Sequence, residues 1–421
     1  MISFHVSELL RTIRARFDIE TLVQRLSPDR GPARSIRPSR SASAKTARRT
    51  WNHLIATGPA TEADRAAIAD DVSLTQAETY GGNIENFAGT VKIPVGIVGP
   101  LRMRGVNASG DIHIPLATTE AALVASYGRG VYVATKAGGV QAAVLYEGVI
   151  RTPAFRFTDL LHAGMFVDWI EQRSDLAEIA QSTTRHGKLL AIDPVIDNDT
   201  VFLICRYSTG DASGQNMVTI ATEALCRHIA AACPVPIQSW YIEGNFSGDK
   251  KASALGLVTG RGRKVSASVT LPPDLVERHL GTSVQDMLAY GRVANLGALL
   301  SGQMGAQAHY ANGLAALYIA TGQDAACVAE SAVGFTRMEA RGDDLFCAVT
   351  MPNILVGSVG GGTGLPSQSA ALRLMGLHGS GHGRALAEVT AALCLCGEIS
   401  IVAAIAAGHF TRAHEKLARH R

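Results

Sequence analysis

The spacing of hydrophobic and polar residues divides the chain into segments with different patterns. Apolar residues recur at helical spacing over residues 1–26, and residues 51–80 read as one or two short polar helices. Between them, residues 29–50 hold seven Arg or Lys, two Pro and four Ser, a composition that cannot build a core and predicts a mobile basic linker. A transit peptide is the alternative, and the acidic residues Glu8 and Asp18 count against it.

From about residue 85 the pattern changes to short strands and turns. The stretch GTVKIPVGIVGPLRMRG alternates apolar residues with Gly and Pro. Residues 151–250 mix strand-like runs such as VFLICRYS with a helical run, NMVTIATEALCRHIAAAC, which predicts a compact unit of helices and strands. Residues 286–322 are rich in small residues and nearly uncharged, so we expect one or two buried helices there. Residues 384–418 predict a long final helix or a pair.

Length and composition narrow the class of protein. A chain of 421 residues suggests two or three domains, and 47% hydrophobic residues supply a large core. The formal net charge of +3 gives no basic field for nucleic acid. The chain has seven cysteines, an odd number, and they lie in apolar contexts, so we expect reduced thiols in a cytoplasmic protein. Their spacing is not that of metal ligands, so no metal site is expected. No signal peptide is visible, and the most apolar stretch carries Glu398, so no membrane span is predicted.

Glu120, in ATTEAALVAS, has two interpretations. Thr118 or Thr119 could cap a helix whose first turn contains this acid. Alternatively, a carboxylate among apolar neighbours has a raised pKa and could donate a proton.

A second charged string, GNFSGDKKASA, contains Asp249, Lys250 and Lys251 after a glycine-rich turn. It reads either as a surface charge cluster or as a lysine held by an acid in a pocket, where it could polarise a carbonyl group.

Two glycine-containing strings are candidate anion or nucleotide sites. In GDASGQNM, Asp211, Ser213 and Gly214 precede an apolar helix whose exposed amides could bind a dinucleotide phosphate; a capped helix without a ligand fits equally well. The string is not GxGxxG after a strand, so no Rossmann fold is predicted. In VGSVGGGTGLPSQ, the glycines allow a backbone to lie against a flat or phosphorylated ligand, or form a flexible loop.

Taken together, the strings are far more specific than any one of them. They occur in this order: ENFAGTVKIPVGIVGPL, PLATTEAALVAS, GDASGQNM, GNFSGDKKASA, AHYANGLAALYIATGQDAA, TMPNILVGSVGGGTGL and ISIVAAIAAGHFTRAH. Over roughly residues 80–415 they resemble the catalytic domain of 3-hydroxy-3-methylglutaryl-CoA (HMG-CoA) reductases. The resemblance is to class I, because the chain ends shortly after His414 without the class II flap domain. The membrane anchor of eukaryotic members is not expected.

The resemblance implies an α+β fold and a reaction. A large substrate-binding domain with a long central helix (residues 81–151 and 250–421) is expected to carry an inserted, smaller, ferredoxin-like α/β cofactor-binding domain (152–249), after an N-terminal helical segment with its linker (1–80). The family reduces HMG-CoA to mevalonate and CoA with two hydrides from NADPH, in isoprenoid biosynthesis. It implies a homo-oligomer with an active site between subunits, where one chain supplies the acid and the lysine and its neighbour supplies the cofactor side and Asp324.

The same resemblance assigns residue roles. Glu120 is the catalytic glutamate, Lys250 polarises the thioester and aldehyde carbonyls, and Asp324 is linked to both. His414 protonates the departing CoA thiolate. The implied substrate contacts are Arg151, Asp249, Lys251, Asn312 (which should support the lysine), Arg292, Glu85 and Asn86. The implied cofactor contacts are Arg185, which should meet the NADP phosphate, with Asp211, Ser213, Gly214, Asn216, Gly360, Gly361, Gly362 and Thr363.

The sequence departs from the family pattern at three positions, and the first two of these departures leave the substrate open. Glu243 stands where class I enzymes usually have a small serine that contacts the substrate, and Arg292 stands where they have a lysine. Position 420 is His instead of a regulatory serine. Two alternatives therefore remain: reduction of a related 3-hydroxyacyl-CoA thioester in a specialised pathway, or a catalytically silent homologue that acts as a binding protein.

Overall fold

The chain forms two compact units, with the boundary after Thr90. The structure is a computed structural model that describes residues 18–28, 36 and 39–408. The helices of the first unit are α1 (Ile19–Leu26), α2 (Ala44–Thr57), α3 (Glu62–Ile68) and α4 (Asp71–Thr75), followed by a 3-10 turn at Ala77–Tyr80.

The first unit has a small core of its own. Ser43 caps α2 by accepting from the Thr46 amide at 3.2 Å, and the buried side chain of Trp51 donates to the Ala88 carbonyl at 2.7 Å. Phe87 is buried and stacks on Tyr80. The predicted mobile linker is therefore wrong for residues 44–50, because they form the first half of a capped and partly buried helix.

The second unit is built on one mixed sheet. Its strands are β1 (Val95–Gly105), β2 (Ser109–Ala117), β3 (Val140–Arg151), β4 (Ala154–Arg156), β5 (Lys188–Asp197), β6 (Thr200–Ser208), β7 (Ser239–Tyr241), β8 (Gly262–Leu271), β9 (Gly305–Ala306), β10 (Gly334–Arg341) and β11 (Asp344–Ile354). Their main order is β7-β4-β6-β3-β8-β11-β10-β9, while β1 joins β2 to β3 and β5 pairs with β6.

Eleven helices in the described part of this unit accompany the sheet. They are α5 (Leu123–Lys136), α6 (Leu160–Glu171), α7 (Leu176–Gln181), α8 (Gln215–Ala232), α9 (Ala254–Thr259), α10 (Pro273–Leu275), α11 (Val284–Ser301), α12 (Tyr310–Thr321), α13 (Val328–Ser331), α14 (Pro366–Leu374) and α15 (Gly383–Ala406), with a π-turn at Val276–Leu280 after α10.

Strand β3 links the two parts of the sheet. Residues 140–142 of β3 pair with β1, residues 141–148 pair with β8, and residues 149–151 pair with β6. Strands β4 to β7 pair only in antiparallel fashion, and with helices α6 to α8 they fall within residues 152–249. The α+β architecture is as predicted, and the ferredoxin-like description of the insertion stays a prediction.

Helix α15 is the core of the second unit. Nearly all of its 24 residues are buried. It is the one helix among the described residues that is long and apolar enough to span a membrane, and it is mostly buried inside the protein. Helix α5 packs on it so closely that a Cβ at Gly130 would lie 1.9 Å from the Cys396 carbonyl oxygen, which only glycine allows.

The predicted helices near the C-terminus are confirmed in part. Residues 286–322 form two helices, of which α12 is largely buried. Helix α11 differs from the expectation, because Leu296, Leu299 and Leu300 on its surface are exposed. Helix α15 covers the first part of 384–418, and residues 409–418 lie outside the described chain.

Candidate active site

Lys250 and Asp324 form an ion pair within one chain. Lys250 lies in the turn before α9, and its Nζ is 2.9 Å from Asp324 Oδ2. Asp324 follows α12, and its Oδ1 accepts from the Ala326 amide at 3.0 Å, which orients the carboxylate. The two side chains are 45% and 41% exposed, so a substrate could reach them from solvent. The expectation that Asp324 reaches the lysine from a neighbouring chain is therefore wrong.

Their charges support each other. The hydrogen bond from Asp324 raises the pKa of the Lys250 ammonium. Burial by itself would raise the pKa of Asp324, but the hydrogen bonds from Lys250 and the Ala326 amide outweigh it and lower that pKa. Both groups are therefore ionised at neutral pH, as a fixed donor for a developing oxyanion requires.

The backbone of Lys250 is held by residues that the sequence did not single out. Lys250 has a φ of 59°, and its amide donates to Glu330 Oε1 at 3.0 Å. The other oxygen of Glu330 is 2.5 Å from Arg261 Nη1, and both side chains are 1% exposed. Burial raises the pKa of Glu330, although the Arg261 guanidinium opposes this. The only sequence signals were charged residues inside the apolar runs ALGLVTGRG and CVAESAVG.

A second group of charges surrounds Arg151 at the end of β3. Its Nη1 is 3.2 Å from both Glu243 Oε2 and Asp249 Oδ2. Arg261 Nη2 donates to Gln215 Oε1 at 2.7 Å and lies 3.0 Å from Asp249 Oδ1, without the angle of a hydrogen bond to it. The structure thus brings the predicted substrate residues Arg151 and Asp249 together, next to Lys250 in sequence.

Lys251 is placed differently from Lys250. Its Nζ donates to the main-chain oxygen of Asp249 at 2.8 Å, and its side chain is exposed. It therefore stays beside the Arg151 group without an acidic side-chain partner among the described residues.

The two glycine-containing strings predicted for the cofactor lie against each other. The Ser358 amide donates to the Asp211 carbonyl at 2.9 Å, and Ala212 forms an isolated parallel bridge with Val359. A Cβ at Gly357 would lie 2.6 Å from the Ser213 nitrogen, so glycine is needed for this contact. The two strings therefore form one surface beside the start of α8.

The individual residues of the first string have distinct positions. Gly214 has a φ of 79° and is the residue directly before α8. The first turn of α8, which includes Asn216, has backbone amides without a partner inside the helix. The Asp211 carboxylate is already bound, because it accepts from the Gly381 and Gly383 amides at the start of α15. Burial opposes ionisation, yet these amides lower the pKa of Asp211.

The triple-glycine loop is tied to the segment that carries Asp324. Gly360 and Gly361 have positive φ values of 77° and 56°, and Thr363 Oγ1 donates to the Gly360 carbonyl at 2.7 Å. Gly362 packs on Gly322, because a Cβ added to Gly322 would lie 2.3 Å from the carbonyl oxygen of Gly362. Next to it, Gln323 accepts from the Gly357 amide at 2.7 Å and donates to the Gly357 carbonyl.

Arg185 lies in the loop between α7 and β5. The loop folds around Thr184, whose Oγ1 accepts from the Gly187 amide at 3.1 Å, and it packs on Met217 in the first turn of α8. Arg185 itself is exposed. The structure thus brings the predicted phosphate-binding arginine to the helix start that carries Gly214 and Asn216.

Glu120 and Asn312 form a separate pair. Asn312 Nδ2 lies 3.0 Å from each oxygen of the Glu120 carboxylate. Glu120 precedes α5, which begins at Leu123, so the interpretation as an acid in the first helical turn is wrong. Asn312 was expected to support the lysine, and instead it donates to this glutamate.

The two pairs lie at opposite ends of α12. Asn312 is in its first turn and Asp324 follows its last. A helix of 12 residues is about 18 Å long. One chain therefore presents Glu120 apart from the lysine that it was expected to adjoin.

Comparison with known proteins identifies the family. Residues 47–419 match the hydroxymethylglutaryl-coenzyme A reductase family model. The chain belongs to this family. It is 42% identical over 366 residues to the 3-hydroxy-3-methylglutaryl-coenzyme A reductase of Aeropyrum pernix, covering 85% of this chain and 87% of that one. It is 43% identical over 340 residues to the reductase of Methanothermobacter thermautotrophicus, covering 80% and 85%.

Solved structures agree in fold. A class II HMG-CoA reductase from Streptococcus pneumoniae, bound to NADPH in open conformations, matches with a TM-score of 0.61 and 18% sequence identity. The match covers 85% of this chain and 96% of that chain. The predicted α+β reductase fold is thereby confirmed.

Some residues that the HMG-CoA reductase pattern assigns are not in these groups. Glu85 and Asn86 belong to the first unit, where Asn86 Oδ1 accepts from the Ser39 amide at 2.7 Å. His414 lies outside the described residues. The substrate roles of Glu85 and Asn86 and the acid role of His414 stay predictions.

Arg292 of this family member lines a cavity of about 600 Å³ beside α11 and α15. Glu398 lies in the same cavity wall and accepts from the His309 amide at 2.9 Å and from Thr336 Oγ1 at 2.7 Å. Burial raises the pKa of Glu398 and lowers the pKa of His309 to about 4. The acid that argued against a membrane span is thus a buried anchor for the start of α12.

Proposed function

We propose that this protein reduces HMG-CoA to mevalonate and CoA with NADPH, as a step of isoprenoid biosynthesis. The observation that carries the proposal is the ionised Lys250–Asp324 pair. The glycine loop is tied through Gln323 to the segment before Asp324, so a cofactor on that loop would lie near the lysine. Membership in the reductase family supports the same reaction.

The residues of this chain supply charge and protons. Lys250 Nζ donates a hydrogen bond to the thioester carbonyl oxygen and stabilises the negative charge that develops there, and it does so again at the aldehyde. Asp324 keeps the ammonium charged and oriented. Glu120 provides the proton that converts the final alkoxide into the alcohol. His414 protonates the thiolate of CoA, so that the aldehyde is left for the second reduction.

NADPH fits the two contacting strings. When bound, each NADPH molecule would supply one hydride, so the two reductions would use two molecules in turn. The free amides at the start of α8 and the positive-φ glycines of the 360–363 loop offer a surface for its pyrophosphate, since exposed amides at a helix start bind anions. Arg185, on the loop that packs against α8, supplies a guanidinium for the 2′-phosphate.

A direct assay tests the reaction. Purified protein with HMG-CoA and NADPH should lose absorbance of the reduced cofactor, consume two NADPH for each HMG-CoA and yield mevalonate. If NADPH is oxidised with another 3-hydroxyacyl-CoA but not with HMG-CoA, that thioester is the substrate. If NADPH is oxidised with none of the thioesters, the protein is a silent homologue that acts as a binding protein.

Replacing Arg185 by alanine should reduce the preference for NADPH over NADH. The loss of a charge-assisted pair with the 2′-phosphate is expected to lower kcat/KM for NADPH by about tenfold or more, whereas kcat/KM for NADH should change little. The ratio of kcat/KM for the two cofactors is the measurement. Arg227→Ala, on the exposed side of α8, is the matched control. An unchanged ratio in Arg185→Ala would exclude Arg185 as the phosphate ligand.

We also propose that two copies of the chain complete each active site. Glu120 and Lys250 sit at opposite ends of α12, so a second copy is needed to bring a glutamate to the lysine. Helix α11 offers an apolar contact surface, with Val293, Leu296 and Leu299 between 56% and 77% exposed. The seven free cysteines and the buried α15 agree with a cytoplasmic enzyme.

Mixing two inactive variants tests this arrangement. Glu120→Gln and Lys250→Ala, each inactive alone, should regain about a quarter of wild-type activity after dissociation and reassembly, because half of random pairs are mixed and each mixed pair has one intact site. Sedimentation of the mixture checks that pairs form. Reassembled pairs that remain inactive would mean that both residues serve the same site from one chain.

A further inference from the structure

The guanidinium of Arg151 is shared between two carboxylates and remains incompletely bonded. Its Nη1 donates to Glu243 Oε2 and Asp249 Oδ2 at the same distance of 3.2 Å, while Nη2 reaches Gln215 Oε1 only at 3.5 Å. The Arg151 side chain is 9% exposed. Glu243 also accepts from the Thr152 amide at 3.4 Å. Glu243 thus takes up one of the directions in which Arg151 could bind an anion.

Several buried polar atoms around this guanidinium lack a hydrogen-bond partner within the described chain. They are Arg151 Nε, Thr152 Oγ1, Gln215 Nε2 and Glu243 Oε1. Buried polar atoms are normally bonded, and this group contains both donors and an acceptor. A ligand with oxygen atoms at this position would satisfy them, which is what the acyl end of the proposed substrate offers.

The group has no excess of positive charge to offer a further anion. Its three cations are Arg151, Arg261 and Lys251, and its three carboxylates, when ionised, are Glu243, Asp249 and Glu330. The glutaryl half-thioester of HMG-CoA brings its own free carboxylate. Arg151 attracts that carboxylate, and Glu243, on the same nitrogen of Arg151, repels it.

We propose that Glu243 is a specificity-determining residue whose carboxylate competes with the substrate carboxylate for Arg151. It thereby weakens the discrimination in favour of acyl groups with a free carboxylate and lets uncharged 3-hydroxyacyl-CoA thioesters compete for the site. This inference rests on the proposed function and names the class of substrate that the same site admits.

The test compares two thioesters that differ in one carboxylate. HMG-CoA and 3-hydroxy-3-methylbutyryl-CoA share the reacting thioester, the hydroxyl and the methyl group. Glu243→Gln, which keeps the shape and removes the charge, should lower KM for HMG-CoA by about tenfold and change KM for the uncharged thioester by less than about twofold. Glu243→Ser should shift the ratio in the same direction, which guards against a poorly folded glutamine variant.

The controls separate a charge effect from a structural one. Glu223→Gln removes an exposed carboxylate from α8 and should leave both KM values unchanged. Equal changes for both thioesters in the Glu243 variants, or a higher KM for HMG-CoA, would overturn the inference. If the wild-type enzyme is active and the ratio of the two KM values is the same in the Glu243 variants, only the role of Glu243 is excluded. A wild-type protein that reduces neither thioester removes the proposed function with it.

Discussion

Lys250→Ala is expected to lower kcat by about a hundredfold to a thousandfold, because removal of one preorganised oxyanion donor costs on the order of 3–4 kcal/mol of transition-state stabilisation. The fold should survive. The Lys250 side chain is 45% exposed, and its ion pair is with Asp324. The backbone bond to Glu330 and the positive φ do not depend on the side chain, so the turn should keep its shape.

The measurement is steady-state turnover with HMG-CoA and NADPH, together with the thermal unfolding temperature. Lys45→Ala is the matched control, since Lys45 is exposed in the first unit and its substitution removes the same positive charge. We expect that control to retain full turnover and the Lys250 variant to retain its unfolding temperature. Turnover of Lys250→Ala near that of the wild type would remove this lysine from the reaction.

The sequence predicts the residues of the site better than their partners. Asp249, Lys250 and Asp324 were found because their strings resemble a known family, and the ion pair joins the last two. The partner of Glu120 was missed, because Asn312 is 192 residues away and a single sequence carries no information on that contact. Side-chain pairing between distant segments is decided by the packing of α12 against β2, which no local pattern encodes.

The buried charges were missed for a different reason. Arg261 and Glu330 are single charged residues in apolar runs, and a charged residue in such a run is usually solvent-exposed at a turn. Only their pairing at 2.5 Å, with both side chains 1% exposed, gives them a role. The exposed face of α11 was missed because its apolar composition is the same for a buried helix and for a helix that packs on another chain.

Arg261→Met is expected to lower the free energy of unfolding by about 3–5 kcal/mol, because it leaves the Glu330 carboxylate buried without its counter-ion. Arg227→Met, which removes a partner from an exposed pair on α8, should cost less than about 1 kcal/mol. Chemical denaturation of both variants gives the comparison. Arg261→Met combined with Glu330→Met should recover part of the loss, because no charge then remains unpaired.

The pH dependence of the free energy of unfolding of Arg261→Met provides an independent test. Burial already raises the pKa of Glu330, and loss of Arg261 should raise it further. A carboxyl group whose pKa is higher in the folded state than in the unfolded state binds its proton more tightly when folded, so it stabilises the fold as pH falls through the folded pKa. The deficit of Arg261→Met relative to wild type should therefore shrink at acidic pH and be largest at neutral pH, where Glu330 must be charged or take up a proton. A deficit that stays constant with pH, or one below about 1 kcal/mol, would mean that Glu330 finds another counter-ion and that Arg261 is not what fixes the carboxylate behind the Lys250 turn.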